Sequence, residues 1–162
     1  MYRIGFGNDI HRLVENHPLI LGGVEVPAER GAVGHSDADA LLHAITDAIL
    51  GALALGDIGT HFSDKDERWK NIESSAFLLY AVGLMKEKGY RVSNVDSTIS
   101  LEKPKLRLYI DKMRESIARI LEIELSCVSV KAKTSEGVDA VGKNDAVKAE
   151  AVVLLEKVPT DA

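Results

Sequence analysis

The stretch HSDADALLHAITDAILGALALGDIG, residues 35–59, decides how this chain reads. Its apolar residues recur at helical spacing, and Ser36 with Asp39 three residues on comes close to a capping box. The pattern predicts a helix from about Asp37 to Leu55, with Ser36 as its N-cap and a loop after Gly56. Asp39, His43 and Asp47 fall at i, i+4 and i+8, one polar stripe on an otherwise apolar helix. A stripe of this kind is ordinarily a solvated face, and acids near a helix start suit the macrodipole. A His between two acids also suits metal ligation, with Asp47 accepting the second ring N–H of His43.

Working outward, GFGNDIH at 5–11 places a carboxylate and an imidazole two residues apart. Side chains at i and i+2 of extended backbone point the same way, so Asp9 and His11 face one point. His43 closes the triangle from the helix. Two His and one carboxylate suit zinc or a similar divalent ion, including manganese and cobalt, with one coordination position left open. An open position points to chemistry rather than scaffolding.

The remaining elements follow from period and punctuation. Residues 2–7 and 18–26 read as strands, the second pair turning at Gly22-Gly23. Helices are expected over 74–88, ended by Gly89, and over 107–124, where Ile110, Met113, Ile117, Ile120 and Leu121 keep helical spacing. Val92–Ser100, Val128–Lys133 and Ala146–Leu155 read as strands. The expected class is α+β, a mixed sheet with helices packed on one face. No repeat or linker interrupts the chain, so 1–162 reads as a single catalytic domain.

Composition narrows the setting. Apolar content of 46% and charged content of 28% are ordinary for a globular protein, and a net charge of −5 argues against nucleic acid or an anionic membrane as partner. The single Cys127, expected in a strand of the core, forms no intrachain disulfide, which suits the cytoplasm. No apolar run approaches transmembrane length.

GFGNDIH (5–11), HSDADALLHAITDAILGALALGDIG (35–59), FSDKD (62–66), EKPK (102–105) and KAKTSEG (131–137) together resemble the 2-C-methyl-D-erythritol 2,4-cyclodiphosphate synthase family along essentially the whole chain. The resemblance implies a homotrimer with active sites at subunit interfaces. The implied substrate is a cytidine diphosphate, 4-diphosphocytidyl-2-C-methyl-D-erythritol 2-phosphate. Its 2-phosphate attacks the β-phosphorus of the same molecule and releases CMP. Such a reaction needs positioning and charge neutralisation more than a protein nucleophile.

By the same resemblance Asp9, His11 and His43 hold zinc, and magnesium bridges the diphosphate with Glu136 as its protein contact. His35 and Thr134 act on the reacting phosphorus from two sides, while Ser36 touches the phosphate. Lys133, Thr134 and Ser135 supply donors to the diphosphate. Asp57, with Ile58 and Gly59, takes the erythritol hydroxyls. The covering loop is Phe62, Ser63, Asp64, Lys65 and Asp66, where Ser63 and Lys65 replace the family's usual Pro and Thr. Leu101, Glu102, Lys103, Pro104, Lys105, Leu106 and Arg107 match the cytosine loop, contributed by another subunit. Ala140 and Lys143 stand where many relatives carry Phe and Arg beside a central cavity that takes an isoprenoid diphosphate. Lys is a weaker bidentate phosphate partner than Arg. A metal-dependent phosphohydrolase is the alternative, with Asp37 or Asp39 as the base that activates water.

Overall fold

A computed structural model of the chain describes residues 1–159. Strand β1 runs Tyr2–Glu15, about twice the expected length, because its alternation continues through Asp9, His11 and Leu13. It pairs antiparallel with β4 (Arg30–Val33) on one side and β7 (Ala146–Lys157) on the other. β7 pairs antiparallel with β5 (Tyr90–Ser100), and β6 (Val128–Lys133) adds in parallel to β5. Among the described residues this gives a five-stranded mixed sheet in the order β4-β1-β7-β5-β6. β2 (Leu19–Leu21) and β3 (Val24–Val26) form a separate hairpin over Gly22-Gly23. Strand β4 had no sequence signal: Arg-Gly-Ala-Val is too short and too mixed to show a period.

Helices α1 (Ala40–Ala52), α3 (Ser75–Glu87) and α4 (Ile110–Leu121) pack on one face of the sheet. Two four-residue helices, α2 (Ile58–His61) and α5 (Asp139–Gly142), sit in the connections. The α+β expectation therefore stands. Among the described residues no helix is long and apolar enough to cross a membrane.

The central helix departs from its expected form. It begins at Ala40, and its N-cap is Asp39 rather than Ser36, with the Asp39 carboxylate accepting from Leu42 N at 3.0 Å. HSDAD offers several cap-competent side chains, and the first two are used earlier: Ser36 Oγ accepts from Ala38 N and Asp37 Oδ1 from Asp39 N. The stripe is not solvated either. Eleven of the thirteen α1 residues are buried, and so is Asp39, whose carboxylate also accepts from Gly22 N and Gly23 N at 2.9 and 2.7 Å. This clip fastens the β2–β3 turn to α1. Cys127 ends a short 3₁₀ turn, Leu125–Cys127, and is half-buried rather than part of a core strand.

α1 lies unusually close to β1, and glycine makes that possible. A Cβ on Gly5 or Gly7 would fall 1.7 Å from Ala48 O or 1.9 Å from Ala44 O. Glycine removes the obstruction, while Ala44, Ala48 and Ala52 keep the helix side shallow. Asp9 and His11 follow Gly5 and Gly7 on the same face of β1. The register that seats Ala44 on Gly7 thus sets His43 above Asp9.

Candidate metal centre and substrate cavities

Asp9 Oδ2, His11 Nε2 and His43 Nδ1 converge, with separations of 2.7, 2.9 and 3.2 Å. Tetrahedral bonds of about 2.0–2.1 Å put zinc ligands about 3.3 Å apart, so the two ring nitrogens already stand at a zinc edge. Among the described residues these three form the group of metal-ligating side chains close enough to share an ion. The fit is good: one anionic oxygen and two imidazole nitrogens, with no fourth ligand among the described residues. Burial pushes the Asp9 carboxyl up, but the hydrogen bonds and charges of His11 and His43 outweigh it and hold it at about 2. Burial likewise lowers His11, and the hydrogen bond and charge of Asp9 carry it above its ordinary value.

The far nitrogens of the two rings are fixed differently. His11 Nδ1 faces the Val33 carbonyl of β4 at 3.1 Å, so it donates there and leaves Nε2 for the metal. His43 Nε2 lies 2.7 Å from Ser74 Oγ and 3.1 Å from Ser36 Oγ. Asp47 does not serve His43: its Oδ1 accepts from Ile58 N at 2.8 Å. Side chains on a helix lean toward its N-terminus, which carries the His43 ring away from Asp47 and toward Ser36.

A cavity of about 450 Å³ opens beside the triangle, and His11, His35, Ser36 and His43 line its metal side. Ile58, Gly59, Phe62, Ser63 and Asp64 line the rest, together with Trp69 and Phe77. The His35 Nε2–H donates to the Asp66 carbonyl at 2.9 Å, tying the 62–66 loop to the side of the cavity that His35 and Ser36 line. Lys65 and Asp66 point elsewhere: Lys65 is exposed, and the Asp66 carboxylate is paired with Arg68. Asp57 is exposed and caps α2, its Oδ1 accepting from Thr60 N and Oγ1. Phe62 packs within 5.0 Å of the Trp69 and Phe77 rings, an aromatic wall the sequence reading missed. Ser74, buried against His43, was missed as well.

A second cavity, of about 620 Å³, gathers the other expected segments. Pro104, Lys105 and Arg107 line it with Lys133 and Thr134, while buried Leu101 and Leu106 form its floor. Glu102 Oε2 accepts from Ser135 N at 3.0 Å and clips the two loops together. Lys103 and Glu136 are exposed beside it, and Lys143 follows α5, exposed and lining neither cavity. Among the described residues none lines both cavities. Lys133, Ser100, Lys148 and Ile10 lie in one row across β6, β5, β7 and β1. Three strand spacings separate the ends of that row by about 14 Å. One copy of the chain therefore does not bring His35 and Thr134 to a common atom.

The sequence profile of the YgbB family matches residues 2–156. The chain belongs to the YgbB family. Among curated YgbB relatives, the 2-C-methyl-D-erythritol 2,4-cyclodiphosphate synthase of Fusobacterium nucleatum is 57% identical over 157 residues, 97% of this chain and 98% of that one. The synthase of Salinibacter ruber is 54% identical over 154 residues, 95% of this chain and 98% of that one. A solved synthase structure with bound CDP matches with a TM-score of 0.89 at 41% identity, covering 95% of this chain and all of that chain.

Proposed function

We propose that this chain is the cyclase that converts 4-diphosphocytidyl-2-C-methyl-D-erythritol 2-phosphate to 2-C-methyl-D-erythritol 2,4-cyclodiphosphate, acting as one catalytic domain in the cytoplasm. One observation carries the reading: an open Asp9/His11/His43 triangle beside His35 and Ser36, in a chain 57% identical to a named synthase over 97% of its length. An oxygen of the 2-phosphate bonds to the β-phosphorus, the bond to the bridging oxygen breaks, and CMP leaves with its electron pair. A divalent ion held by Asp9, His11 and His43, zinc by preference, supplies Lewis-acid polarisation of the β-phosphate. The chain's own part is to orient anions and neutralise them. With its Nε2–H held by the Asp66 carbonyl, His35 keeps Nδ1 for the phosphate. Asp57 keeps Oδ2 for the erythritol hydroxyls, since Thr60 occupies Oδ1. Glu136 would be the protein contact of a magnesium ion, which would neutralise charge on the diphosphate.

The cytosine loop, Lys133 and Thr134 reach this phosphate from a neighbouring copy. The separation of the two cavities favours that arrangement, and so does the uncovered face of the sheet, where Tyr2, Ile4, Phe6, Ile10 and Val152 are all at least 45% exposed. A head-to-tail ring of three copies covers those faces and gives three composite sites. A hydrolase needs a free carboxylate base; Asp39 is buried under three N–H donors and Asp37 is bonded to Ser74, so neither is available.

Phosphorus NMR on the purified protein with this substrate, magnesium and trace zinc tests the reading. Two coupled signals of a cyclic diphosphate alongside CMP are expected. Inorganic phosphate or linear phosphates instead overturn it.

A further inference from the structure

The side chains behind His43 carry an inference that rests on the metal reading above and extends it to Ser74, which the sequence did not single out, and to a different role for Asp37. Ser74 is buried at 0% exposure just before α3, in a cap position where its hydroxyl makes no cap bond. That hydroxyl lies 2.7 Å from His43 Nε2 and is also bonded to Asp37 Oδ1. Asp37 Oδ2 accepts from Ser74 N at 3.1 Å, so the carboxylate grips Ser74 by backbone and side chain together. Proton bookkeeping then fixes the directions. An ionised carboxylate only accepts, so the single Ser74 hydroxyl proton points to Asp37. The Ser74 oxygen is left to accept, with the Ser36 hydroxyl at 3.4 Å and the His43 ring at 2.7 Å as neighbours, and when Nδ1 is given to a metal its donor is the His43 Nε2–H. That places the lone pair on Nδ1, the nitrogen aimed at Asp9 Oδ2 and His11 Nε2.

We infer that Asp37 and Ser74 form a positioning relay that fixes the tautomer and ring angle of His43 for metal binding. A carboxylate directly on a metal-bound imidazole is a common support; here a serine is interposed between them. Ser36 Oγ, 3.1 Å from the same nitrogen, is the weaker second acceptor because it also takes Ala38 N–H. The relay is tied to the covering loop. Asp37 N donates to the Ile72 carbonyl at 3.0 Å and Asn71 N to the His35 carbonyl at 2.7 Å. The C-terminal anchor of the loop, the phosphate-facing His35 and the support of His43 are therefore one hydrogen-bonded unit.

The test is competition for zinc between a chromophoric chelator and the whole chain or its variants, with the visible spectrum of the cobalt form as a second readout. Ser74→Ala is expected to bind zinc about 10–100-fold more weakly, the usual cost of losing such support. Its cobalt bands should shift as the ring tilts. Ser36→Ala combined with Ser74→Ala should bind more weakly still. Ser97→Ala removes another buried hydroxyl, bonded to the Ser129 carbonyl far from the site, and should leave both readouts unchanged. Zinc affinity within twofold of wild type in Ser74→Ala, with an unshifted cobalt spectrum, overturns the relay alone. Wild-type chain that binds neither ion overturns the metal reading and the relay with it. Should Ser74→Ala fail to fold, proton NMR of zinc-loaded wild type decides: a slowly exchanging His43 Nε2–H is expected, and a freely exchanging one refutes the relay.

Discussion

Gly7→Ala tests the geometry that builds the metal centre without touching a ligand. The new Cβ would sit 1.9 Å from Ala44 O, 2.8 Å from Ala48 N and 2.9 Å from the Ala44 carbonyl carbon. All three are backbone atoms of α1, so no side chain can rotate away. Restoring an ordinary contact of about 3.2 Å requires the helix to lift from β1 by about 1.3 Å, several times the ±0.2 Å within which metal-ligand distances hold. His43 neighbours Ala44 on the lifted turn and moves with it, while Asp9 and His11 stay on β1. Overpacking of this kind costs about 1–3 kcal/mol. A 1 Å misplacement at a catalytic centre costs about 10²-fold. Urea denaturation and zinc competition should therefore report both losses together. Gly51→Ala, on the same helix, is the opposite case. Gly51 is exposed and a Cβ there meets nothing nearer than 3.8 Å, so helix propensity should stabilise it by about 0.5–1 kcal/mol. Wild-type stability and zinc affinity in Gly7→Ala would refute the idea that the glycines set the position of the helix.

Four further outcomes follow. His43→Ala should lose zinc and turnover together; retained zinc with full activity, by metal analysis and product assay, contradicts the ligand set. Burial pushes Asp39 from 3.8 up to about 6 against its three N–H donors, so the unfolded chain ionises it first; stability is fullest below pH 3.8 and falls by about 3 kcal/mol as pH rises through 6. Asp39→Asn should flatten that slope in denaturation curves, and parallel curves for the two proteins contradict it. Phe6→Glu, on the uncovered face of the sheet, should convert trimers to monomers in sedimentation and abolish turnover while zinc binding survives. Mixed and reassembled His43→Ala and Thr134→Ala subunits should regain up to about a quarter of wild-type activity, the random share of sites joining two intact halves; no recovery contradicts a site built from two copies.

What the sequence revealed divides by range. Asp9 and His11 are legible because a strand has a fixed period of two, and His43 because a polar residue interrupts an apolar helix. The expected helices 74–88 and 107–124 overshoot the observed 75–87 and 110–121 by one and by three residues at each end, where caps rather than period decide. Ser74 was out of reach: it stands 31 residues from His43, and a serine before a helix reads as a cap until its hydroxyl is found elsewhere. Asp47 was misassigned because helical spacing gives the stripe but not the lean of the side chains. The GFG pair read only as part of a motif; its function of admitting a helix backbone appears only once Ala44 and Ala48 lie above it.

β1 explains why metal binding and assembly should separate under mutation yet combine in catalysis. Its odd residues, Gly5, Gly7, Asp9 and His11, face α1, and its even residues, Ile4, Phe6 and Ile10, face the uncovered side. A strand cannot change the facing of one set without the other, since a slip of one residue exchanges both. The eleven-residue register with β7, from Tyr2↔Glu156 to Arg12↔Ala146, guards against such a slip. It therefore holds the candidate metal ligands on one face and the uncovered apolar residues on the other. A substitution that leaves the register intact damages one function and spares the other, whereas a change that shifts β1 against β7 must abolish both at once.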